Sequence, residues 1–450
     1  MNDAVGPLVA TADSTPRLRR TLSFSDLLIY GLAYISPCAP FQILGFVWLR
    51  SNGLIALAYM LGGVCMYFTA KSYAVMTEAV PTAGSVYGFA RHALGPFMGF
   101  IAGWMILLDY LMIPGYMYDV IAVALGSLVP QVDRAVWIVL LAALTLAVNW
   151  FGLTVTSRVN LFAVVSQIVF IAVLLVFSVL ALHAGKGTGA LTVKPIFSAQ
   201  LFDVHGLFAA TSICVMSFLG FDAVSTLAEE VKSNDKRIVG RAIIGCLILA
   251  AGLFTLLTWV LGNLLSGFTI KDPAAAAYEL ARWSIGPWAS ISLAWATATI
   301  IGFTNVLPMQ VGVARILFAM GRDRQLPHAI SKVHTKYGTP YVGMLVTSAI
   351  STAVALAMRY HVDELASLVN FGALTGFLLL HVSVLAKFGI GDRSRRWFSH
   401  VAVPIVGAVI VLAVLSGMSS LAMTLGAVWL VAGLLYGAVL HRRRRDALPI

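Results

Sequence analysis

Residues 27–49 read LLIYGLAYISPCAPFQILGFVWL. The stretch carries no Asp, Glu, Lys or Arg and is long enough to cross a bilayer, since a spanning helix takes about 20 mainly apolar residues. Pro37 and Pro40 nevertheless stand in its middle. Each removes a backbone donor and clashes with the preceding turn, so the helix is expected to break near Ala33–Pro37, roughly halfway across. A second apolar run contains Ser217-Phe218-Leu219-Gly220-Phe221-Asp222, a glycine beside a carboxylate. Unpaired backbone at membrane depth survives only where protein or a wet cavity satisfies it. Two interrupted spans in corresponding positions point to inverted repeats with a binding site between them at the midplane. Half-helix N-termini there attract a carboxylate, and half-helix C-termini a cation or amine.

The remainder of the chain fits that frame. Of its 450 residues 60% are hydrophobic and only 11% are charged, against roughly 25% charge in a soluble domain. Lipid must be the solvent for most of this surface. Twelve apolar segments can be laid out, at 27–49, 54–77, 96–125, 135–153, 160–183, 206–228, 239–262, 286–314, 341–358, 364–386, 401–418 and 420–440. The expected fold class is therefore all-α integral membrane protein, with twelve transmembrane helices of which the first and sixth are broken. Between spans seven and eight, Asp272-Pro273 followed by AAAAYELARW reads as a short surface helix, with Asp as N-cap and Pro at its first position.

The net charge of +11 sorts along this layout. Of the 30 Lys and Arg, one side receives 23, among them Arg17, Arg19, Arg20, Lys232, Lys236, Arg237, Arg241, Arg322, Arg324 and the run Arg442–Arg445; the other receives the remaining seven, Arg50, Arg134, Lys186, Lys194, Lys271, Arg282 and Arg359. Basic residues favour the cytoplasmic side, so both termini are expected inside. The excess is a topology signal and not a nucleic-acid footprint; Arg442–Arg445 could also meet anionic lipid. Residues 1–26 are polar and no small-residue cleavage site closes the first apolar stretch, so the first helix is expected to stay in the membrane.

Ionisable groups at depth are costly and default to functional roles. Asp109, Asp119 and Asp222 qualify. Helical spacing puts Met105, Asp109, Met112 and Tyr116 on one stripe, a face suited to an amine with an apolar body. Asp119 lies nearer a span end, where hydration explains it. Asp222 follows the second break and could take a proton, an amine or loose backbone donors. Asn305, Gln310 and Asn370 read as interhelical hydrogen-bond formers. Cys38, Cys65, Cys214 and Cys246 lie in apolar runs without CxxC spacing and read as small buried hydrophobes. His183, His205, His328, His334, His361, His381 and His441 are scattered near span ends and read as surface or interfacial groups; no metal and no cofactor are expected. HExxH, GxSxG and Walker motifs do not occur, which argues against an enzyme or an ATP-driven pump. Gly99-x-x-x-Gly103 and Gly433-x-x-x-Gly437 permit close helix approach; the second could serve a homodimer, and internal packing also accounts for it.

Three motifs resemble a known superfamily. Pro81-Thr82-Ala83-Gly84-Ser85-Val86-Tyr87 is similar to the P-x-A-G-S-x-Y signature of amino acid–polyamine–organocation (APC) permeases. Ser217-Phe218-Leu219-Gly220-Phe221-Asp222-Ala223-Val224 with Glu229-Glu230 resembles their span-six signature. Arg315-Ile316-Leu317-Phe318-Ala319-Met320-Gly321-Arg322-Asp323 with Leu326-Pro327 resembles the loop after span eight. Within the superfamily the pattern is most similar to the bacterial putrescine-importer branch, through Gly31-Leu32-Ala33-Tyr34 with Pro37, Gly103-Trp104 with Leu107-Leu108-Asp109-Tyr110-Leu111, and Asn370-Phe371-Gly372-Ala373-Leu374.

The resemblance implies the leucine-transporter-like fold: a cytoplasmic segment 1–26, a first five-helix repeat 27–183, an inverted repeat 206–386, two additional helices within 401–440 and a basic tail 441–450. It also implies coupling to a proton or cation gradient in the cytoplasmic membrane. Two departures stand out. The glycine-rich first break that cradles an α-carboxylate in amino acid members is replaced by Tyr34-Ile35-Ser36-Pro37. Gln167 stands where some proton-coupled members carry a lysine, so that lysine's role is not transferred.

The expected activity is secondary transport of a small putrescine-like amine, with an amino acid permease of the same fold as the alternative. Ala33, Tyr34, Ser36, Asp109, Tyr110, Phe218, Gly220, Phe221 and Asp222 are the candidate substrate-binding residues. Asp109 and Asp222 would meet ammonium groups and the aromatic rings would add cation–π support. Asp222 is also the candidate for proton coupling.

Overall fold

The computed structural model describes residues 22–80, 85–151, 157–232, 235, 237–322, 324–334, 337 and 339–446. Its helices are α1 (Phe24–Ile35), α2 (Ala39–Arg50), α3 (Ile55–Ala79), α4 (Ser85–Leu94), α5 (Pro96–Leu128), α6 (Arg134–Trp150), α7 (Ser157–His183), α8 (Val204–Cys214), α9 (Ile238–Leu265), α10 (Ala276–Ser284), α11 (Pro287–Ala296), α12 (Leu307–Arg322), α13 (Tyr341–Met358), α14 (Val362–Val384), α15 (Val403–Ser416) and α16 (Ser420–Asp446). Among the described residues the one extended pairing is a single parallel bridge between Leu22 and Val231.

Nine of the described helical stretches are long and apolar enough to cross a membrane, or ten when the bent pair α1 and α2 counts as one span. Twelve were expected. Of the other two regions, α6 is apolar but 17 residues long, and 287–322 is divided into α11, a π-helical stretch Thr297–Val306 and α12. Burial ranks the spans. Val204–Ala228 is 83% buried in its most apolar window, whereas α16 is 17% buried there, so the interrupted span is central and α16 peripheral. Phe162, Val428 and Leu435 are among the large apolar side chains left on the outside, as a lipid-facing surface requires.

The first break falls slightly later than the sequence spacing predicts. Helix α1 runs through Ala33, Tyr34 and Ile35, and the unwound residues are Ser36 to Cys38. Proline disfavours helical backbone in the residue before it, and Ser36 leaves the helix there, with ψ 110° and a positive φ of 61° that the proline alone does not require. Pro40 sits in the first turn of α2, where its missing N–H costs no bond. The two halves are bent by 46°. At the other end of α1, Ser23 and Asp26 form a reciprocal capping box, which satisfies two otherwise unpaired donors.

The second break follows α8. The chain tightens to 3-10 turns over Val215–Phe218, passes through Leu219 and Gly220, and resumes as 3-10 turns over Phe221–Glu230. Gly220 has φ 113°, and a Cβ there would fall 2.8 Å from the carbonyl carbon of Tyr34. The two breaks therefore touch, backbone against backbone, at the one residue type that allows it.

Two further expectations need correction. The segment after Asp272 is not a surface helix: α10 begins at Ala276, and Ala276, Ala277, Tyr278, Leu280, Ala281 and Ser284 are buried. It lies as a lid on α2, where a Cβ on Gly45 would fall 2.4 Å from the Pro273 carbonyl oxygen. Asp272 caps the turn before the helix, accepting from the Ala274 N–H. His381 is not interfacial either. It is fully buried in α14 and bonds Ser72 and Thr69 of α3.

The α16 glycines seat aromatic rings of the core. Gly433 lies against Trp104 and Gly437 against Phe100, both on α5, so internal packing accounts for that motif. All four cysteines are buried. Pro81 to Gly84, Asp323, Lys236 and the N-terminal arginines lie outside the described residues.

Candidate functional site

Where the two breaks meet there is a small enclosed cavity. It is lined by Tyr34, Ile35, Ser36, Ala39 and Gln42 of the first broken span, Ile113, Tyr116 and Met117 of α5, Met216, Ser217 and Leu219 of the second break, and Met309 of α12. Its volume is about 20 Å³, enough for about one water. The cavity is thus closed down in this conformation. Its walls are neutral: two phenols, two hydroxyls, one amide and three thioethers. Of the predicted binding residues, Tyr34 and Ser36 line it directly.

The freed backbone is satisfied by amides from other helices. Gln167 of α7 places its Oε1 where the Ser36 hydroxyl donates at 2.8 Å and the Cys38 N–H at 3.2 Å. On the other break, Asn370 of α14 donates Nδ2–H to the Ser212 carbonyl at 2.6 Å. Tyr59 and Ser217 share a hydrogen bond of 2.9 Å. Two amide nitrogens, Gln42 Nε2 and Gln167 Nε2, are buried without a protein partner. Gln42 Nε2 belongs to a cavity-lining side chain.

Asp109 and Asp222 lie beside the cavity and do not line it. They are 4% and 6% exposed and close enough to repel each other. Asp109 sits one helical turn from Ile113, on the α4-ward end of α5. One of its carboxylate oxygens has no partner, and Gly372 of α14 presses against its backbone. The carboxylate of Asp222 is surrounded by the N–H groups of Gly220, Asp222 and Ala223 and by the Tyr73 hydroxyl. Tyr110 lies within electrostatic reach of both acids and of Tyr34.

The predicted aromatic rings are packed rather than open. Phe218 lies against Tyr59 and Phe254, and Phe221 against Tyr73 and Phe377. Ala33 is buried in α1. Of the stripe Met105, Asp109, Met112 and Tyr116, only Tyr116 reaches the cavity, because the Met105–Asp109 turn is covered by α14 at Gly372. Asp119 is 1% exposed with both carboxylate oxygens unpartnered, so hydration does not explain it. Gln310 accepts from Asn149 at 2.6 Å, an interhelical bond as expected.

Gln42, Met117, Met216, Met309 and Tyr73 were not singled out from sequence. Gln42 carried a usable signal, as a polar residue at depth in a span already marked as broken. The methionines carried none, since a thioether in an apolar run reads as ordinary core.

Residues 29–433 match the sequence model of the family described as Amino acid permease. The chain is 31% identical over 444 residues to the low-affinity putrescine importer of Escherichia coli (strain K12), covering 97% of each protein. It is 28% identical over 438 residues to the branched-chain amino acid permease of Bacillus subtilis (strain 168), covering 91% of this chain and 90% of that one. It is 27% identical over 413 residues to the methylthioribose transporter of the same organism, covering 86% of each.

Proposed function

The chain belongs to the amino acid permease family, whose members are multi-pass membrane transporters and not enzymes, and from that premise we propose that it moves a small putrescine-like amine by secondary active transport. The acid pair carries this reading. Asp109 and Asp222 are buried near each other, and among the described residues no basic side chain contributes to the surroundings of either. Two carboxylates removed from water without a cation call for one, because buried charge persists only when paired. An ammonium group entering through the cavity supplies it. The 31% identity to a low-affinity putrescine importer over 97% of each chain agrees with that chemistry.

The proposal includes twelve spans, counting α6 and the 287–322 region, arranged as inverted repeats 27–183 and 206–386 with two further helices. Both termini are cytoplasmic, on the strength of the basic-residue asymmetry, in the cytoplasmic membrane. The unwound residues at the cavity are the hinge of an alternating-access cycle. Asp222 takes the coupling proton. It sits among backbone N–H groups of the second break, so a change in its charge acts where the chain is already unwound.

One observation favours a second reading, a neutral amino acid as substrate: no charged side chain lines the cavity itself. Uptake of labelled putrescine into reconstituted vesicles, with diamines and amino acids as competitors, separates the two. We expect short diamines to compete, and Asp109→Asn to weaken apparent diamine affinity roughly 10–100-fold, the worth of one charge-assisted hydrogen bond. Wild-type affinity in that variant removes the pairing role. Competition by branched-chain amino acids but not by diamines establishes the second reading. Asp222→Asn should abolish the response of uptake to an imposed pH gradient, and retention of that response removes the coupling role.

A further inference from the structure

The end of the molecule that carries α10 holds charged groups that the proposed cycle has not used. Arg134, at the start of α6, pairs with Asp272 just before the lid helix α10. Its other guanidinium nitrogen donates to the Arg359 carbonyl at the end of α13 at 3.3 Å. One side chain thus ties the lid to two spanning helices. At the far end of the lid, Lys186 donates to the Trp283 and Ser284 carbonyls at 2.7 and 2.9 Å, a cation at a helix C-terminus. Beneath the lid, Tyr278 bonds Thr297 at 3.2 Å and stands within electrostatic reach of Cys38 and Tyr116, over the cavity.

Against this latch stands Asp119, three residues beyond the cavity-lining Tyr116. It is 1% exposed, and neither carboxylate oxygen has a partner. The Nε of Arg359 is likewise buried and unpartnered. Buried polar groups in folded proteins are hydrogen-bonded with few exceptions, and an orphaned carboxylate is among the costliest exceptions. Complementary orphans on adjacent helices are available to pair with each other or with a neighbouring charge when the helices shift. The basic groups within electrostatic reach of Asp119 are Arg134 and Arg359. The remaining acids of the cluster, Asp133 and Asp272, are engaged with the N–H groups of Ala135 and Ala274 and with Tyr360 and Arg134.

We propose that Asp119 is a positioning residue for opening of the lid, receiving Arg134 when Arg134 releases Asp272. With the lid down, Arg134 holds Asp272 and Asp119 is left bare. With the lid raised, Arg134 and Arg359 turn inward onto Asp119, and the charge that latched the closed form stabilises the open one. The proposal rests on the alternating-access reading above, but it concerns the lid and not the identity of the substrate.

The test places a cysteine at Ala277, on the buried face of the lid helix itself, and follows its modification by a membrane-impermeant maleimide added from the lid side, with peptide mass spectrometry to separate it from the buried native cysteines. No substrate is present. Asp272→Asn should speed labelling roughly tenfold, and Asp119→Asn should slow it roughly tenfold, the scale of one charge-assisted hydrogen bond. Asp119→Glu, which keeps the charge, should label at nearly the parent rate. Opposite shifts with recovery by glutamate support the exchange. Parental labelling in Asp119→Asn overturns it, as does a shift in the same direction as Asp272→Asn or an equal slowing in Asp119→Glu. A chain that labels in the expected pattern yet takes up no amine contradicts the substrate reading alone.

Discussion

In the first broken span the chain is turned by proline and serine and held by a side chain from another helix. In the second it is turned by a glycine that lies against the backbone of the first, with side chains from other helices bonded to the turns before that glycine. Ser36 occupies φ 61°, a conformation that costs a residue other than glycine roughly 1–3 kcal/mol. Gln167 offsets that cost by accepting from both Ser36 and Cys38. Gly220 needs no such brace for its own dihedral, because φ 113° is ordinary for glycine. It does need the absence of a Cβ, with Tyr34 so near. The unwound residues of the first break can therefore be loosened from a distance, through α7, while the turn at Gly220 is disturbed most directly where it lies.

The sharpest way to break the comparison is Gly220→Ala. The added methyl meets the Tyr34 backbone and the residue is held at a dihedral that alanine avoids. Backbone strain of roughly 1–3 kcal/mol joins a clash that can be relieved only by separating the two breaks. We expect uptake to fall roughly 100-fold, with protein still recovered in the membrane fraction. Uptake within threefold of wild type would mean that the breaks do not need to touch. Ser36→Ala is the matched control at the first break. It removes one of the two donors to Gln167 and should cost far less.

Gln167→Ala comes next. It leaves the Ser36 hydroxyl and the Cys38 N–H buried without an acceptor, at a cost of roughly 1–3 kcal/mol each. Gln167→Glu keeps the acceptor and should retain more function than alanine. We expect alanine to lower the apparent melting temperature in detergent and to reduce uptake roughly tenfold, with glutamate between alanine and wild type. Equal behaviour of the two variants would show that Gln167 fills space and does not brace the break.

Much of this was legible in the order of residues, and the reasons differ from place to place. Pro37 and Pro40 announce a break because proline's geometry is local; Gly220 beside Asp222 announces one because an acid and a glycine are both out of place at depth. The exact unwound residues shifted to Ser36–Cys38 because proline acts on the residue before it. AAAAYELARW has the composition of an exposed helix, and its cover shows only in three dimensions, in the burial of α10 and the approach of Pro273 to Gly45. Phe218 and Phe221 look like cavity residues from their place in the motif, yet their rings turn into the Tyr59 and Tyr73 clusters, a choice of direction that spacing does not encode. The bare carboxylate of Asp119 is invisible in sequence for a related reason: its neighbours Arg134 and Arg359 come from distant segments.

The smallest expected effect distinguishes a brace from a plug at the second break. Asn370 donates to the Ser212 carbonyl at 2.6 Å, and its own Oδ1 has no partner. That carbonyl belongs to the last turn of α8 before the chain tightens to 3-10 geometry, where acceptors run short of intrahelical donors. One neutral hydrogen bond is worth about 1 kcal/mol net, so Asn370→Ala should lower uptake by roughly fivefold and leave diamine affinity almost unchanged. Asn370→Asp tests the sense of the bond. An ionised carboxylate cannot donate, and it would face the Ser212 carbonyl with like partial charge, so aspartate should do worse than alanine. If aspartate instead restores uptake above alanine, the residue serves through its free oxygen, as an acceptor for the substrate, and the second break would then resemble the first in exposing an amide to the transported molecule.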